Sequence, residues 1–340
     1  MKTDIRKSAH SNTRTRTLAA RDLDSVVAID TVLSGRARRG YFERRLAAAK
    51  RDPDRHLQFA VDEDGALAGF MLGHSLEGEF GRTEPQMRLE AFGIDPAAQG
   101  RGLGLALSSA FEGAAIRRGL REIRTAALWR QHGLLRFLDR AGYRLGGSHV
   151  LDCALHDAEL GSPRERPIDR PAQHADPNDY GSPSSNDFES LARDAAEVRL
   201  LTQADLEGIA RIDRRITGRD RRGYLCRAFE ETLDDSALRV SLGAWVDHSI
   251  AGFLMARLDY GDFGRTEPAA VIDTIGVDPL RSRQGIGRAL LSQLFINLSA
   301  LGVERLETVV APGNLDLMGF FYSAGFAPSE RLSFAKSLGG

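Results

Sequence analysis

The feature that most constrains this chain is that it is written twice. Asp22-Leu23 recurs 183 positions later as Asp205-Leu206, and Ile29-Asp30 recurs as Ile212-Asp213. The same offset carries Arg38-Arg39-Gly40-Tyr41 onto Arg221-Arg222-Gly223-Tyr224, and Phe80-Gly81-Arg82-Thr83-Glu84-Pro85 onto Phe263-Gly264-Arg265-Thr266-Glu267-Pro268. Gly102 and Gly104 return as Gly285 and Gly287, and Gly142-Tyr143 as Gly325-Phe326. The offset never drifts, so the chain reads as a duplication in which each half is one complete unit. Between the halves lies a low-apolar stretch holding Pro163, Pro167, Pro171, Pro177 and Pro183. Such a composition buries too little apolar surface to pack and reads as a flexible linker. The expected organisation is a flexible tail at 1–13, a first domain at 14–156, a linker at 157–195 and a second domain at 196–340.

Composition narrows the class. At 340 residues, with 42% hydrophobic and 27% charged content, the chain can build two ordinary soluble cores. A net charge of −1 argues against a dedicated nucleic-acid binder, which needs a basic excess. No apolar run reaches the roughly 20 residues of a membrane helix, and the polar, basic start lacks the apolar region of a secretory signal. Cys153 and Cys226 are the only cysteines, too few for a disulfide framework or a zinc site. A cytoplasmic protein without a metal is the expectation.

In the first half a strand-like run, residues 88–94, feeds Asp95-Pro96-Ala97-Ala98-Gln99-Gly100-Arg101-Gly102-Leu103-Gly104, and an amphipathic helix follows directly. Glycines let the backbone approach a bulky anion, and a helix N-terminus adds free N–H groups and partial positive charge. That pairing suits a pyrophosphate. A dinucleotide fingerprint would need glycine where Leu105 stands, and a P-loop would end in Gly-Lys-Ser/Thr, which is absent. The second copy reads Ser282-Arg283-Gln284-Gly285-Ile286-Gly287, so an arginine replaces its first glycine. A side chain there is costly wherever the turn needs a positive φ.

Gln99, Gly102 and Gly104, after a strand ending ahead of a proline, resemble the acyl-CoA loop of the GNAT acyltransferase superfamily, Gln/Arg-x-x-Gly-x-Gly/Ala. The order of elements in each half is similar to that fold: strand, two helices, a three-strand meander, the glycine loop and helix, a strand, a helix and a final strand. The fold class implied is α/β of the α+β type, two tandem GNAT acyl-CoA N-acyltransferase folds, each a mixed, mainly antiparallel sheet flanked by helices. The resemblance covers nearly all of both halves.

It implies direct transfer of an acyl group, most commonly from acetyl-CoA, to an amine on a small molecule or protein. Pantetheine would pair with the fourth strand where it splays from the fifth, and backbone N–H groups near Ile94 or Val277 would polarise the thioester carbonyl. The co-substrate contacts so implied are Phe92, Ile94, Gln99, Gly100, Arg101, Gly102 and Gly104 in the first half. In the second they are Ile275, Val277, Arg283, Gln284, Gly285, Gly287, Arg288 and Asn314, the last standing where the first half has Gln131. An ammonium must lose a proton before it attacks, so Glu90 and its repeat equivalent Asp273 are the candidate bases. Strand alternation puts Glu90 on one face with Arg88, Phe92 and Ile94. A salt-bridged, structural role for these carboxylates has equal claim, and Glu122 and Glu307 are weaker candidates.

Members of this superfamily usually carry a tyrosine as acid four residues before a Gly-Phe. Here Phe321 holds that place and Tyr322 lies one residue later; the first half has Leu138 and Asp139. The acid role passes to Tyr322, to water, or to no group. Glu77, Glu79, Glu84, Asp259, Asp262 and Glu267 would attract a cationic acceptor, whereas Arg38, Arg39 and Arg82 would suit a carboxylate. The leading expectation is an acyl-CoA-dependent N-acyltransferase whose halves pack on one another. The alternatives are a non-catalytic acyl-CoA-binding or regulatory protein, and one active half beside a scaffold half.

Overall fold

The computed structural model describes residues 12–76, 84–155, 196–234, 239–259 and 269–339. The linker, almost all of the tail, and the repeated Phe-Gly-Arg-Thr segment with Glu77, Glu79, Asp262 and Glu267 lie outside them. Among the described residues no helix is long and apolar enough to cross a membrane.

The first half runs β1 (Thr13–Thr17), α1 (Leu23–Ser34), α2 (Arg39–Arg51), β2 (His56–Glu63), β3 (Ala66–Leu76) and β4 (Gln86–Ile94). It continues through α3 (Leu103–Arg117), β5 (Glu122–Leu128), α4 (His132–Arg140), β6 (Arg144–Leu145) and β7 (His149–Ala154). The second half repeats the series as β8 (Glu197–Leu200), α5 (Leu206–Thr217), α6 (Arg222–Asp234), β9 (Arg239–Val246), β10 (Ser249–Asp259) and β11 (Ala269–Val277). Then come α7 (Ile286–Ala300), β12 (Arg305–Val310), α8 (Leu315–Ser323), β13 (Ala327–Pro328) and β14 (Arg331–Ser337). Local sequence explains most boundaries. Gly35 and Gly218 end α1 and α5 in the left-handed conformation, and Asn314 caps α8 by accepting from Leu317 N–H.

Two seven-stranded mixed sheets result, and they are not the sheets of two self-contained halves. The first has the order β1-β2-β3-β4-β5-β14-β6 and the second β13-β7-β12-β11-β10-β9-β8. The last strand of each half has left its own sheet and pairs in the other: β14 runs antiparallel to β5, and β7 antiparallel to β12. The reading of each half as a complete unit is therefore corrected by the sheet topology. Short strands β6 and β13 stay home, and the chain crosses just after them. The crossings are tied by polar contacts. Arg331 on β14 pairs with Glu307 on β12 at 3.2 Å and donates to Ala126 O at 2.9 Å. Arg305 pairs with Asp152 at 2.9 Å, and Lys336 with Glu112 at 2.6 Å. Both side chains of the Arg331–Glu307 pair are buried, so neither charge survives alone at small cost.

Each sheet carries a core on both faces. In the first, Leu107, Phe111 and Ala115 of α3 pack on Met71, Met87 and Leu89, while Val26 and Ile29 of α1 and Phe42 of α2 cover Phe70, Leu72 and Ala91 opposite. The second sheet repeats this with Leu290, Leu294 and Leu298 on one face and Ile209, Ile212, Leu225 and Phe229 on the other.

Candidate functional site

The site is a fork between two strands. In each sheet the single parallel contact joins the fourth strand to the fifth, and it is short. β4 pairs with β5 at Met87↔Ile123 and Arg88↔Arg124, then continues to Ile94 with β3 as its sole strand partner among the described residues. β11 and β12 pair from Ala269↔Arg305 to Ile272↔Thr308 and part beyond. A threonine closes the crotch of each fork: Thr125 Oγ1 donates to Leu89 O at 2.9 Å, and Thr308 Oγ1 to Ile272 O at 3.4 Å. Past that point the outer edge of the fourth strand offers unpaired backbone groups, which can accept an extended ligand as a strand edge does.

A bulge sits at the crotch. Along β3 and β4 the register passes from Leu72↔Ala91 to Gly73↔Leu89, and along β10 and β11 from Met255↔Thr274 to Ala256↔Ile272. The extra residues are Glu90 and Asp273. A Cβ at Gly73 would lie 2.4 Å from Arg88 O, so glycine lets β3 close on the bulged strand. The bulge also corrects the face assignment made from alternation. Glu90 reaches Arg45 of α2, whereas Phe92 and Ile94 pack toward α3. One inserted residue has turned the end of β4 over.

The strand runs into the expected loop. Asp95 caps a short 3-10 turn by accepting from Ala97 N–H at 2.8 Å, and Gln99 Nε2 donates back to Ile94 O at 3.1 Å. Gly100 and Gly102 have φ of 79° and 83°, and a Cβ at either would meet nothing within 4 Å. The turn is open to solvent. Gly102 is the N-cap of α3 and no side chain caps that first turn, so its N–H groups are free for an anion. Arg101 is engaged locally, with Glu63 at 2.7 Å and Ala97 O at 2.6 Å. Gly104 serves packing: a Cβ there would lie 3.1 Å from both Phe92 and Phe137, whose rings stack at 4.1 Å.

The second loop has the same path. Gly285 caps α7 at φ 78°, again without a side-chain cap, and Arg283 takes φ 63° where Gly100 stands in the first copy. Arg283 and Gln284 are exposed, Arg288 is half-buried on α7, and a Cβ at Gly287 would lie 3.1 Å from Phe320. Ile275 and Val277 pack against the α7 core, and Asn314 caps α8.

Around each bulge the side chains differ. Glu90 is buried, pairs with Arg45, and lies 2.6 Å from His74 Nδ1 on β3. His56 completes the group: its Nε2 faces Arg45 Nη1 at 3.3 Å and its Nδ1 meets Asp52 O at 2.9 Å. A ring that gives Nδ1–H to a carbonyl and accepts from a guanidinium is neutral, and burial followed by Arg45 takes its pKa down to about 4. His74 is held well below the usual histidine range by burial first, then by Arg45, His56, Arg88 and Arg257. In the second half Asp273 pairs with Arg257 on the neighbouring strand. Arg257 occupies the position equivalent to His74, and Ala228 that of Arg45.

Tyr322 is 45% exposed on α8 beside the fully buried Phe321. Leu138 is buried, and Asp139 pairs with Arg144 at 3.0 Å on the surface. Glu122 pairs with Arg124, and Glu307 with Arg331. The repeated Arg-Arg-Gly-Tyr segment builds the turn between the first two helices. Arg38 Nε donates to buried Asp30 at 2.8 Å, and Arg221 Nε to Asp213 at 2.9 Å. Arg39 pairs with exposed Asp24. Among the described residues, no group of three or more His, Cys, Asp or Glu is placed to hold a metal ion. The residues that sequence reasoning passed over are Arg45, His74 and Arg257; their signal was that the repeat breaks at those positions.

Comparison with known proteins agrees with this geometry. The model of the family described as Acetyltransferase (GNAT) family matches residues 24–143 and again 206–326. No curated protein matches. Among solved structures, a tandem GNAT protein from the clavulanic acid biosynthesis pathway aligns over 97% of this chain and 99% of its own, at 16% identity and a TM-score of 0.62. A GCN5-related N-acetyltransferase from Sphaerobacter thermophilus aligns over 96% of both chains at 15% identity and a TM-score of 0.58. A fungal GCN5-related glucosamine N-acetyltransferase region aligns over 96% of this chain and 38% of its own, at 14% identity and a TM-score of 0.64. Identities this low speak for the fold alone.

Proposed function

The chain belongs to the GNAT acetyltransferase family, and from that membership we propose that it transfers an acyl group from acyl-CoA, in the first instance acetyl-CoA, directly to an amine. The observation that carries this is the fork: a bulged strand that sheds its parallel partner and runs straight into an uncapped helix N-terminus, twice in one chain. In the proposed complex the diphosphate lies on the N–H groups of the Gly100–Leu105 turn. Pantetheine pairs with the free edge of β4, and the thioester carbonyl reaches the bulge, where backbone N–H groups stabilise the developing oxyanion. Glu90 and Asp273 then lie at the reacting end, and Gln99, Arg101, Arg283, Gln284, Arg288 and Asn314 border the carrier.

Thiol release from acetyl-CoA in the presence of an amino sugar, an amino acid and a polyamine, with acetyl-CoA affinity measured by calorimetry, tests the reading. Turnover with any of these amines is expected. Gly102→Trp should weaken acetyl-CoA binding at least about tenfold, because a side chain at φ 83° distorts the turn. Unchanged affinity in both Gly102→Trp and Gly285→Trp would refute the placement.

Two observations favour unequal halves. Arg257 holds Asp273 at the place where the first half sets His74 beside Glu90, and the second loop carries a strained Arg283. In this reading the second half is a scaffold or binding half.

A further inference from the structure

The carboxylate of the first half is poorly suited to take a proton alone. Glu90 is buried against Arg45, whose permanent charge stabilises the ionised form. Beside it, however, stands a group that can accept one. His74 projects from β3, one register position from the bulge, with Nδ1 2.6 Å from Glu90 Oε1. That nitrogen is enclosed, and its contact with Glu90 is close but not aligned as a hydrogen bond. The side chain keeps 17% exposure, none of it at Nδ1. His74 shares the α2 side of the sheet with Glu90, since Gly73 before it points at Phe111 of α3.

Resting on the functional reading above, we infer that His74 is the general base of the first half and that Glu90 orients it. The groups facing the ring are Glu90 and Arg88 from β4, Arg45 from α2, His56 from β2 and Arg257 from β10 of the second half. Burial first, and then Arg45, His56, Arg88 and Arg257, keep the imidazole neutral before the transfer, and the guanidiniums press an incoming ammonium to shed its proton. Glu90 balances the imidazolium once it forms, and the close contact with Nδ1 aligns as a hydrogen bond in the complex. His74 Nε2 takes one proton from the acceptor ammonium, and the freed amine nitrogen bonds to the thioester carbonyl carbon. The C–S bond breaks, and the remaining proton lost by nitrogen passes to the thiolate, giving amide and CoA thiol. The imidazolium returns its proton to solvent. In the second half Arg257 stands in the equivalent place and cannot accept a proton.

The test uses the full chain, acetyl-CoA and the same three amines. His74→Gln should lower kcat/KM by about 10²–10⁴-fold with acetyl-CoA affinity unchanged. Its residual rate should climb with pH toward the amine's own pKa, which a structural defect would not produce. Glu90→Gln should move the acid limb of the wild-type profile to lower pH, since imidazolium loses its counter-charge. Wild-type turnover with His74→Gln within threefold and the same pH profile would overturn the inference and leave the functional reading intact. Acetyl-CoA binding without thiol release by the wild type would overturn both. Should far-UV circular dichroism show His74→Gln unfolded, the Glu90→Gln limb decides, and an unmoved limb overturns the inference.

Discussion

At the first bulge, Glu90 meets an arginine from a helix and a histidine from the next strand; at the second, Asp273 meets Arg257 from that strand. The backbones are equivalent, with the same extra residue and a threonine at each fork. What differs is whether a proton can move. A guanidinium–carboxylate pair is fixed near neutral pH, whereas an imidazole beside a carboxylate can change state. The loops follow the same division: the first relaxes at Gly100, and the second holds Arg283 in the left-handed region. A duplicated fold thus preserves its scaffold more evenly than its chemistry.

The comparison can be broken most severely by separating the halves. Residues 1–156 produced alone lack β14, the strand between β5 and β6, so the fragment should fail to give a cooperative unfolding transition. Mixing it with 157–340 should restore one, and an independently folded fragment would show that the exchange is dispensable. Next in size is Arg331→Met, which leaves Glu307 buried without its partner. It should cost about 3–5 kcal/mol in urea unfolding, and a change below about 1 kcal/mol would mean that the pair behaves as a surface one.

The histidines sharpen the contrast through pH. His56 has a folded pKa of about 4, below its ordinary value, so the unfolded chain protonates first as pH falls. Stability should therefore drop between about pH 6.5 and pH 4, by up to about 3 kcal/mol, and level off below. His56→Gln should flatten that slope, and an identical slope in the variant would remove His56 as its source. The smallest effect is Arg283→Gly, which relieves a left-handed non-glycine residue and makes the second loop resemble the first. A gain of about 1 kcal/mol is expected, read as a rise of a few degrees in Tm; a loss would show that the arginine side chain supports the turn.

Much of the fold was legible because each element is encoded locally. The strand-like run of β4 ahead of its loop, the glycine stops after α1 and α5, and the glycine turns ahead of α3 and α7 announce themselves within a few residues. The strain at Arg283 was legible too, because the repeat aligns it with Gly100. The bulges were not, since one extra residue leaves a strand's composition unchanged while reversing the faces beyond it; Glu90 and Phe92 were grouped together and lie apart. Strand exchange was hidden for a different reason. β7 buries Val150, Leu151 and Cys153, and nothing in such a pattern states which sheet will receive it. His74 escaped notice because attention to what the repeat shares passes over what it does not.

Because each sheet is finished by the other half's last strand, neither copy can be discarded without leaving its sibling unfinished. A deletion that trims the gene back to one copy removes a wall from the copy that remains. Two identical chains trading their final strands would already hold both strand exchanges described here. Joining them end to end then requires only a tether, after which the two copies are free to diverge in chemistry while inheritance keeps them together.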